Sequence, residues 1–171
     1  MRQIAFFGFI LAIYSIPVGA VDARFEDWMV DVNSPDKKFA YSVNQAGEVI
    51  GQLCTYASDG NNCVYIFTMN LECKVGNEYP VLVNSDVGAI GLKVVCDRRL
   101  SGGSYRYFFY YDDIDEAIST ASNLSMVFPT DNDQFRVLRF SLSGSLAAIK
   151  KMREAADQMQ KNYRPATETL L

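Results

Sequence analysis

The feature that most constrains the fold is a period of two in the hydrophobic pattern, which runs from Trp28 to Leu142. Successive side chains of a β-strand point to opposite faces of a sheet, so this alternation indicates strands with one buried face. Turn residues such as Asn61-Asn62 and Asn84–Gly88 divide the region into short segments. The pattern predicts a mainly β protein, either an antiparallel β-sandwich or a distorted barrel, with about eight strands.

Two segments switch to helical spacing. The first, Asp112–Asn123, has Asp113 followed by Glu116 as a capping-box-like start, and we expect it to cross between strands. The second runs from Ser143 or Ser145 to about Asn162 and predicts a C-terminal helix. Its apolar stripe favours packing on the core, and a surface for a partner helix is the alternative. That stripe includes Leu146, Ile149, Met152 and Met159.

The N-terminal segment predicts a cleavable export signal at residues 1–20. Arg2 provides a positive charge, Ile4–Ile16 is apolar and uncharged, and small residues precede cleavage after Ala20 or Ala23. An uncleaved membrane anchor is less favoured, because the run is shorter than the ~20 residues of a spanning helix. We therefore expect a periplasmic or secreted protein with no membrane span in its mature chain.

The rest of the chain is long enough for one domain, which we place at residues 21–163, followed by a flexible tail at 164–171. The full chain has 16 basic and 20 acidic residues, a net charge of −4, which becomes −5 when Arg2 is removed with the export signal. Nucleic-acid binding depends on clustered Lys and Arg, so this balance argues against a nucleic-acid partner.

Four cysteines agree with export to an oxidising compartment: Cys54, Cys63, Cys73 and Cys96. The favoured pairing is Cys54 with Cys63 and Cys73 with Cys96, because each pair encloses its own candidate hairpin. A four-thiolate zinc site is disfavoured, since no two of these cysteines have the C-x-x-C spacing. We predict two disulfides, no metal site and no cofactor.

The absence of histidine narrows the possible chemistry. It removes the Ser-His-Asp and Cys-His mechanisms and the commonest general base near neutral pH. Paired cysteines would also remove thiol chemistry. No remaining motif predicts a catalytic residue, so we expect a protein that is not an enzyme.

The densest chemical feature is the aromatic segment from Tyr105 to Tyr111. On a strand, one face would carry Tyr105, Tyr107, Phe109 and Tyr111, and the other would carry Arg106, Phe108 and Tyr110. Aromatic residues on both faces favour a central strand covered on both sides. The alternative is a binding surface formed by Tyr105, Tyr107, Phe109, Tyr111 and Arg106, since tyrosine offers a large contact area with a polar tip.

Short motifs at both ends resemble the invasion-associated locus B family of exported bacterial proteins. The segment Phe25–Val30 (FEDWMV) is similar to that family's F-x-D/G-W-x-V opening, and Phe140–Ile149 (FSLSGSLAAI) is similar to its F-x-L-x-G-x-x-x-A junction. Asp31 and Asn33 stand in a region where the family often has a cysteine, and Cys54–Cys96 shows no match. The resemblance implies a periplasmic or surface-associated β-sandwich with a role in host association.

Three functions remain open at this point. The first is an exported, non-enzymatic interaction module that binds another envelope protein or a host component. The second is a carrier of a small apolar ligand inside the sandwich, suggested by Phe67, Met69, Tyr107, Phe109 and Met126. The third, less favoured, is a carboxylate-dependent hydrolase. A filled interior with an exposed apolar patch would favour the first, and a connected apolar cavity would favour the second.

Overall fold

A computed structural model describes residues 21–57, 60–130 and 133–162, with all side chains in these ranges except those of residues 56, 57, 61, 111 and 112. The predicted export signal at 1–20 and the predicted tail at 164–171 lie outside the described residues. Position 163, the last of the predicted domain, lies outside them as well.

The described residues form ten strands and two helices, so the mainly β fold class with a mid-chain helix and a C-terminal helix is confirmed. The elements are β1 (Ala23–Phe25), β2 (Trp28–Asp31), β3 (Lys37–Val43), β4 (Val49–Ala57), β5 (Gly60–Met69), β6 (Glu78–Ser85), β7 (Gly88–Arg99), β8 (Tyr105–Phe109), α1 (Tyr111–Thr120), β9 (Asn123–Thr130), β10 (Gln134–Ser141) and α2 (Ser145–Asn162).

All ten strands belong to one antiparallel sheet in the order β1-β2-β3-β4-β5-β8-β7-β6-β9-β10. The two ends of this order come together in space, because the indole Nε1 of Trp28 in β2 donates to the carbonyl oxygen of Ser141 in β10 over 3.0 Å. The backbone N–H of Asp27 also donates to the carbonyl oxygen of Ser143. The sheet is therefore a distorted barrel with an incompletely closed seam between its first and last strands.

The inner face of the sheet carries the core. Five inward side chains, Trp28, Tyr65, Phe67, Tyr107 and Phe109, have at most 1% of their surface exposed. The rings of Phe67 and Tyr107 stack with centroids 5.0 Å apart, and Phe67 also contacts Phe109 at 5.2 Å. Protein side chains thus fill the part of the interior where these residues meet.

Both helices pack on this inner face. Ala148, Ile149 and Met152 of α2 are buried in the same core cluster as Ile114 and Ile118 of α1. The helix expected at Asp112–Asn123 begins one residue earlier, at Tyr111, and ends three residues earlier, at Thr120. The capping box expected at Asp113 is wrong, because the N-cap residue is Tyr110, which makes no side-chain capping bond. The acidic residues of its first turns lie within the helix, where they can still interact favourably with the N-terminal dipole.

A polar cluster joins α2 to α1 and the sheet. The guanidinium of Arg153 donates to Oδ1 of Asp115 over 2.7 Å, to Oε1 of Gln52 over 2.7 Å and to the hydroxyl of Tyr65 over 3.2 Å. The Tyr65 hydroxyl itself donates to Asp115 over 2.5 Å. Tyr65 and Gln52 are fully buried, so Arg153 satisfies polar groups that water does not reach.

Replacing Arg153 by alanine should destabilise the fold by about 1–3 kcal/mol, because it removes the ion pair with Asp115 and the hydrogen bond to buried Gln52. The free energy of unfolding in urea measures this loss. Lys151→Ala is the matched control, since Lys151 is an exposed basic residue of the same helix and should change stability by less than ~0.5 kcal/mol. Equal stability of the two variants would contradict the structural role given to Arg153.

The four cysteines form two pairs at bonding distance, the same two that the candidate hairpins predicted. Cys54 of β4 lies directly opposite Cys63 of β5 with Cα atoms 4.0 Å apart. Cys73, in the loop after β5, meets Cys96 of β7 with Cα atoms 6.1 Å apart. The second bond attaches the β5–β6 connection to the centre of the sheet.

Candidate interaction surface

Most of the aromatic residues predicted as a possible binding surface belong to the core. Tyr107 and Phe109 are each 1% exposed, and Tyr105 is half-buried against the core cluster. The hydroxyl of Tyr107 donates to the carbonyl oxygen of Leu71 over 3.0 Å, and burial raises the pKa of Tyr107 above its usual value. The side chain of Tyr111 is outside the described part of the structure. The inner face of β8 therefore offers no accessible aromatic platform among the side chains described.

Among the members of that set whose side chains are described, Arg106 alone lies on the outer face. It forms an ion pair with Asp97 of β7, which also pairs with Arg98. Burial acts to raise the pKa of Asp97, but the hydrogen bonds from Arg98 and Arg106 outweigh it and hold that pKa below its usual value. The charge of Arg106 is thus already compensated within the protein.

The predicted partner face of α2 divides between core and solvent. Ile149 and Met152 are buried beneath the helix, and Met159 is half-buried. Leu146 is 62% exposed. The apolar stripe of α2 therefore packs mainly on the core, and Leu146 is the one residue of these four that is exposed.

The most exposed apolar group lies instead on the outer face of three neighbouring strands at one end of the sheet. The group, which we call the outer patch, comprises Leu82, Val127 and Val137, paired across β6, β9 and β10, the pair Pro129 and Phe135 on β9 and β10, and exposed Pro80, two residues from Leu82 on β6. Phe135 is 68% exposed, Leu82 48% and Val137 37%. The outer patch is a contiguous apolar surface that none of the described helices covers.

Sequence reasoning missed the outer patch because β10 is apolar on both faces. Leu138 and Phe140 point inward and are buried, whereas Phe135 and Val137 belong to the opposite, exposed set. The sequence did contain an indication: Val137 and Leu138 are consecutive apolar residues, so they point to opposite faces of the strand. A strand with only one covered face needs apolar residues on that face alone, so apolar residues on the other face indicate an exposed apolar surface.

A charged group borders the outer patch on its β7 side. Lys93 lies opposite Pro80 and forms a salt bridge of 2.9 Å with Glu78, whose carboxylate also accepts a hydrogen bond from Tyr110. The hydrogen bond from Lys93 lowers the pKa of Glu78, and the same contact raises the pKa of Lys93. The patch therefore has a polar rim on one side, as protein-binding surfaces commonly do.

On its other side the outer patch reaches the open seam. A cleft of about 940 Å³ separates β10 from the β3–β4 turn, and Val137 belongs both to the patch and to the wall of this cleft. Arg136 crosses the seam to Glu48 with an ion pair of 2.7 Å. Arg24 and Arg139 also line the cleft.

The described ranges contain neither a metal-binding cluster nor a membrane-spanning helix. No group of three or more Cys, Asp or Glu side chains there is arranged to hold a metal ion. Neither α1 nor α2 combines the length and apolar character needed to cross a membrane.

Comparison with known proteins gives a structural likeness. No protein-family model and no curated protein sequence matches the chain. Among solved structures, it is similar to the crystal structure of invasion associated protein B from Bartonella henselae, with a TM-score of 0.54 and 15% sequence identity. The match covers 77% of this chain and 95% of that chain. The likeness shows a related fold, which is the fold-level part of what the terminal motifs implied.

Proposed function

We propose that this protein is an exported, non-enzymatic interaction module of the bacterial envelope, which binds another envelope protein or a host component through the outer patch. The observation that carries this proposal is the exposure of Phe135, Leu82 and Val137 as neighbours on adjacent strands. Contiguous apolar patches on soluble domains commonly mark protein-binding sites, because covering them releases apolar surface from water.

Export is supported by two kinds of observation. Both cysteine pairs are at disulfide distance, and such bonds persist mainly in oxidising compartments such as the periplasm. The fold is also related to that of a bacterial protein whose name describes it as invasion associated. Together with the predicted export signal, these observations support a periplasmic or secreted location.

The alternative function, carriage of a small apolar ligand, rests on one feature. A pocket of about 200 Å³ opens beside Met69, Tyr79, Tyr107 and Phe128. Ligand sites usually measure roughly 300–1,000 Å³, and the stacked rings of Phe67 and Tyr107 occupy the adjoining interior. The pocket could accept only a small group, so we favour the outer patch.

The decisive experiment is affinity purification of the tagged protein from its native envelope, followed by mass spectrometry, with Leu82→Asp compared against the wild type. Leu82 is half-exposed on the β6 side of the outer patch, so the added carboxylate should leave the core intact and reduce recovery of a direct partner at least about tenfold. Circular dichroism and the urea midpoint check that the variant is folded.

Leu146→Asp is the matched control, because it makes the same substitution at an exposed leucine outside the patch, on α2. We expect it to recover the partner as the wild type does. Loss of the partner with Leu146→Asp alone would place the binding surface on the terminal helix instead. Equal recovery of partners by all three proteins, or co-purification of a small molecule without any protein, would refute the outer patch as the binding surface.

A further inference from the structure

The seam cleft, which lies between β10 and the β3–β4 turn, is large enough for a small organic ligand. Its volume of about 940 Å³ falls within the roughly 300–1,000 Å³ that is typical of ligand pockets. Arg24 and Met29 line it from the first two strands of the sheet, and Ser125 and Arg139 line it from the last two. Of the outer patch, only Val137 lines this cleft, so the cleft is a separate feature.

Two arginine side chains in the cleft have unused hydrogen-bond donors. The side chain of Arg139 forms neither a hydrogen bond nor an ion pair with any residue that the structure describes. Arg24 uses its Nε, which donates to the carbonyl oxygen of Glu26 over 2.7 Å, and forms no ion pair within the same ranges. Because a guanidinium carries five N–H donors, both side chains keep donors for a ligand.

The third arginine of the cleft, Arg136, is held in place by a buried carboxylate. Glu48 accepts hydrogen bonds from the guanidinium of Arg136 over 2.7 Å and from Nδ2 of Asn44 over 2.8 Å. Oδ1 of Asn44 in turn accepts from the backbone N–H groups of Ala46 and Glu48, each over 3.0 Å. The β3–β4 turn therefore fixes Glu48, and Glu48 fixes Arg136 while compensating its charge. This wall of the cleft is preorganised before a ligand binds.

The charge balance of the cleft is opposite to that of the whole chain. Three arginines and two acids, Asp27 and Glu48, line the cleft, which is an excess of one positive charge, whereas the chain has a net charge of −4. Since Glu48 compensates Arg136, the excess comes from Arg24 and Arg139. Arginine binds carboxylate and phosphate groups through two parallel N–H···O hydrogen bonds, so these two side chains are suited to an oxyanion.

Neutral polar side chains accompany the arginines. Ser125 lies directly opposite Arg139 in the β9–β10 pair, and Asn123 and Gln45 also line the cleft. None of these three neutral side chains forms a hydrogen bond with another described residue. Hydroxyl and amide groups both donate and accept hydrogen bonds, which matches the hydroxyl groups of a sugar. The cleft thus combines donors for an anion with hydrogen-bonding groups for a polyol.

We propose that the seam cleft binds a small acidic sugar, which is a saccharide unit that carries a carboxylate or a phosphate group. The anionic group pairs with Arg139 and Arg24, and the hydroxyl groups form hydrogen bonds with the neutral polar side chains. This ligand site goes beyond the protein-binding function proposed above. Leu82, the residue tested there, does not line the cleft, so either proposal can fail while the other stands.

Isothermal titration calorimetry of the purified protein tests the site with glucuronate, ribose phosphate, glucose and inorganic phosphate. We expect the acidic sugars, glucuronate and ribose phosphate, to bind with a Kd below about 1 mM. Glucose lacks the anionic group and inorganic phosphate lacks the sugar hydroxyls, so each should bind at least about tenfold more weakly than the acidic sugars.

Arg139→Gln should weaken the binding of both acidic sugars at least about tenfold, because it removes a charged donor to the oxyanion. Arg99→Gln is the matched control, since Arg99 is an exposed arginine of β7 that does not line the cleft and pairs with no described acid. Both variants remove one positive charge, so any general attraction of anions falls equally in the two. Circular dichroism checks that both are folded.

Three results would overturn the proposal. The first is no binding of either acidic sugar up to about 10 mM. The second is equal affinity in the Arg139→Gln and Arg99→Gln variants, which would place the ligand outside the cleft. The third is that inorganic phosphate or the acidic peptide acetyl-triglutamate binds more tightly than both sugars, which would identify a bare anion or a peptide segment as the occupant.

Discussion

Trp28→Ala should lower the free energy of unfolding by about 3–5 kcal/mol, the range seen when a large aromatic side chain is removed from a core. Trp28 has 0% of its surface exposed, and its ring fills the space where β2 meets the end of β10. The substitution also removes the hydrogen bond from Nε1 to Ser141, one of the few bonds that cross the seam. Equilibrium unfolding in urea, followed by far-UV circular dichroism, gives the change directly.

Trp28→Phe separates the two contributions. Phenylalanine keeps most of the buried aromatic surface but has no N–H, so its cost should be about 1–2 kcal/mol, that of one hydrogen bond and a small void. If Phe and Ala at this position cost the same, the bond to Ser141 dominates. A cost below ~1 kcal/mol for Trp28→Ala would contradict the packing seen around the ring.

The strands were largely predictable because their pattern is local. Alternation between Trp28 and Leu142 predicted about eight strands, and the structure has nine in that region, from β2 at Trp28 to β10 at Ser141. The strand that was missed, β1, has only three residues, Ala23-Arg24-Phe25, which is too few to show a period. It exists because residues 28–30 provide a neighbouring edge with which it pairs. Such a strand is specified by its partner rather than by its own sequence.

Closure of the sheet was not predictable, because it depends on contacts that are distant in the chain. Nothing near Trp28 indicates that its indole reaches Ser141, which is 113 residues away. The position of Asp115 is a similar case. Its place near the start of a helix indicates an interaction with the helix dipole, whereas its carboxylate also accepts hydrogen bonds from Arg153 and Tyr65, which no local pattern indicates. Local rules identified the element and missed the tertiary partner.

The candidate site was the least predictable part, because aromatic content does not indicate which face of a strand is exposed. The segment Tyr105–Tyr111 allowed two interpretations, a strand covered on both sides, which was favoured, and a binding platform; the ring of Tyr107 lies against Phe67 and Phe128 in the core. Phe135 and Val137 lie on the outer face of the sheet, whereas both described helices pack against the core on the inner face. Which face the helices cover depends on tertiary packing, which cannot be derived from periodicity.

The second large effect that we expect is at the junction between β10 and α2, where Gly144 packs against the backbone of Phe25 in β1. Gly144 has φ +87°, and a Cβ at this position would overlap the carbonyl oxygen of Phe25 and lie 2.6 Å from its carbonyl carbon. Gly144→Ala therefore combines a left-handed backbone, which costs a residue with a Cβ about 1–2 kcal/mol, with an overlap against backbone that costs about 1–3 kcal/mol more. We expect a loss of about 3 kcal/mol or more in the free energy of unfolding.

Gly103→Ala is the control that isolates the backbone contribution, because Gly103 has φ +88° and no atom lies within 4 Å of the place that its new methyl group would take. It should cost only the ~1–2 kcal/mol of the left-handed conformation. The difference between the two variants then measures how tightly β1 is held against the β10–α2 junction. Equal losses would mean that β1 moves aside freely, and the seam would then depend on Trp28 and the Arg136–Glu48 pair for the contacts that hold it shut.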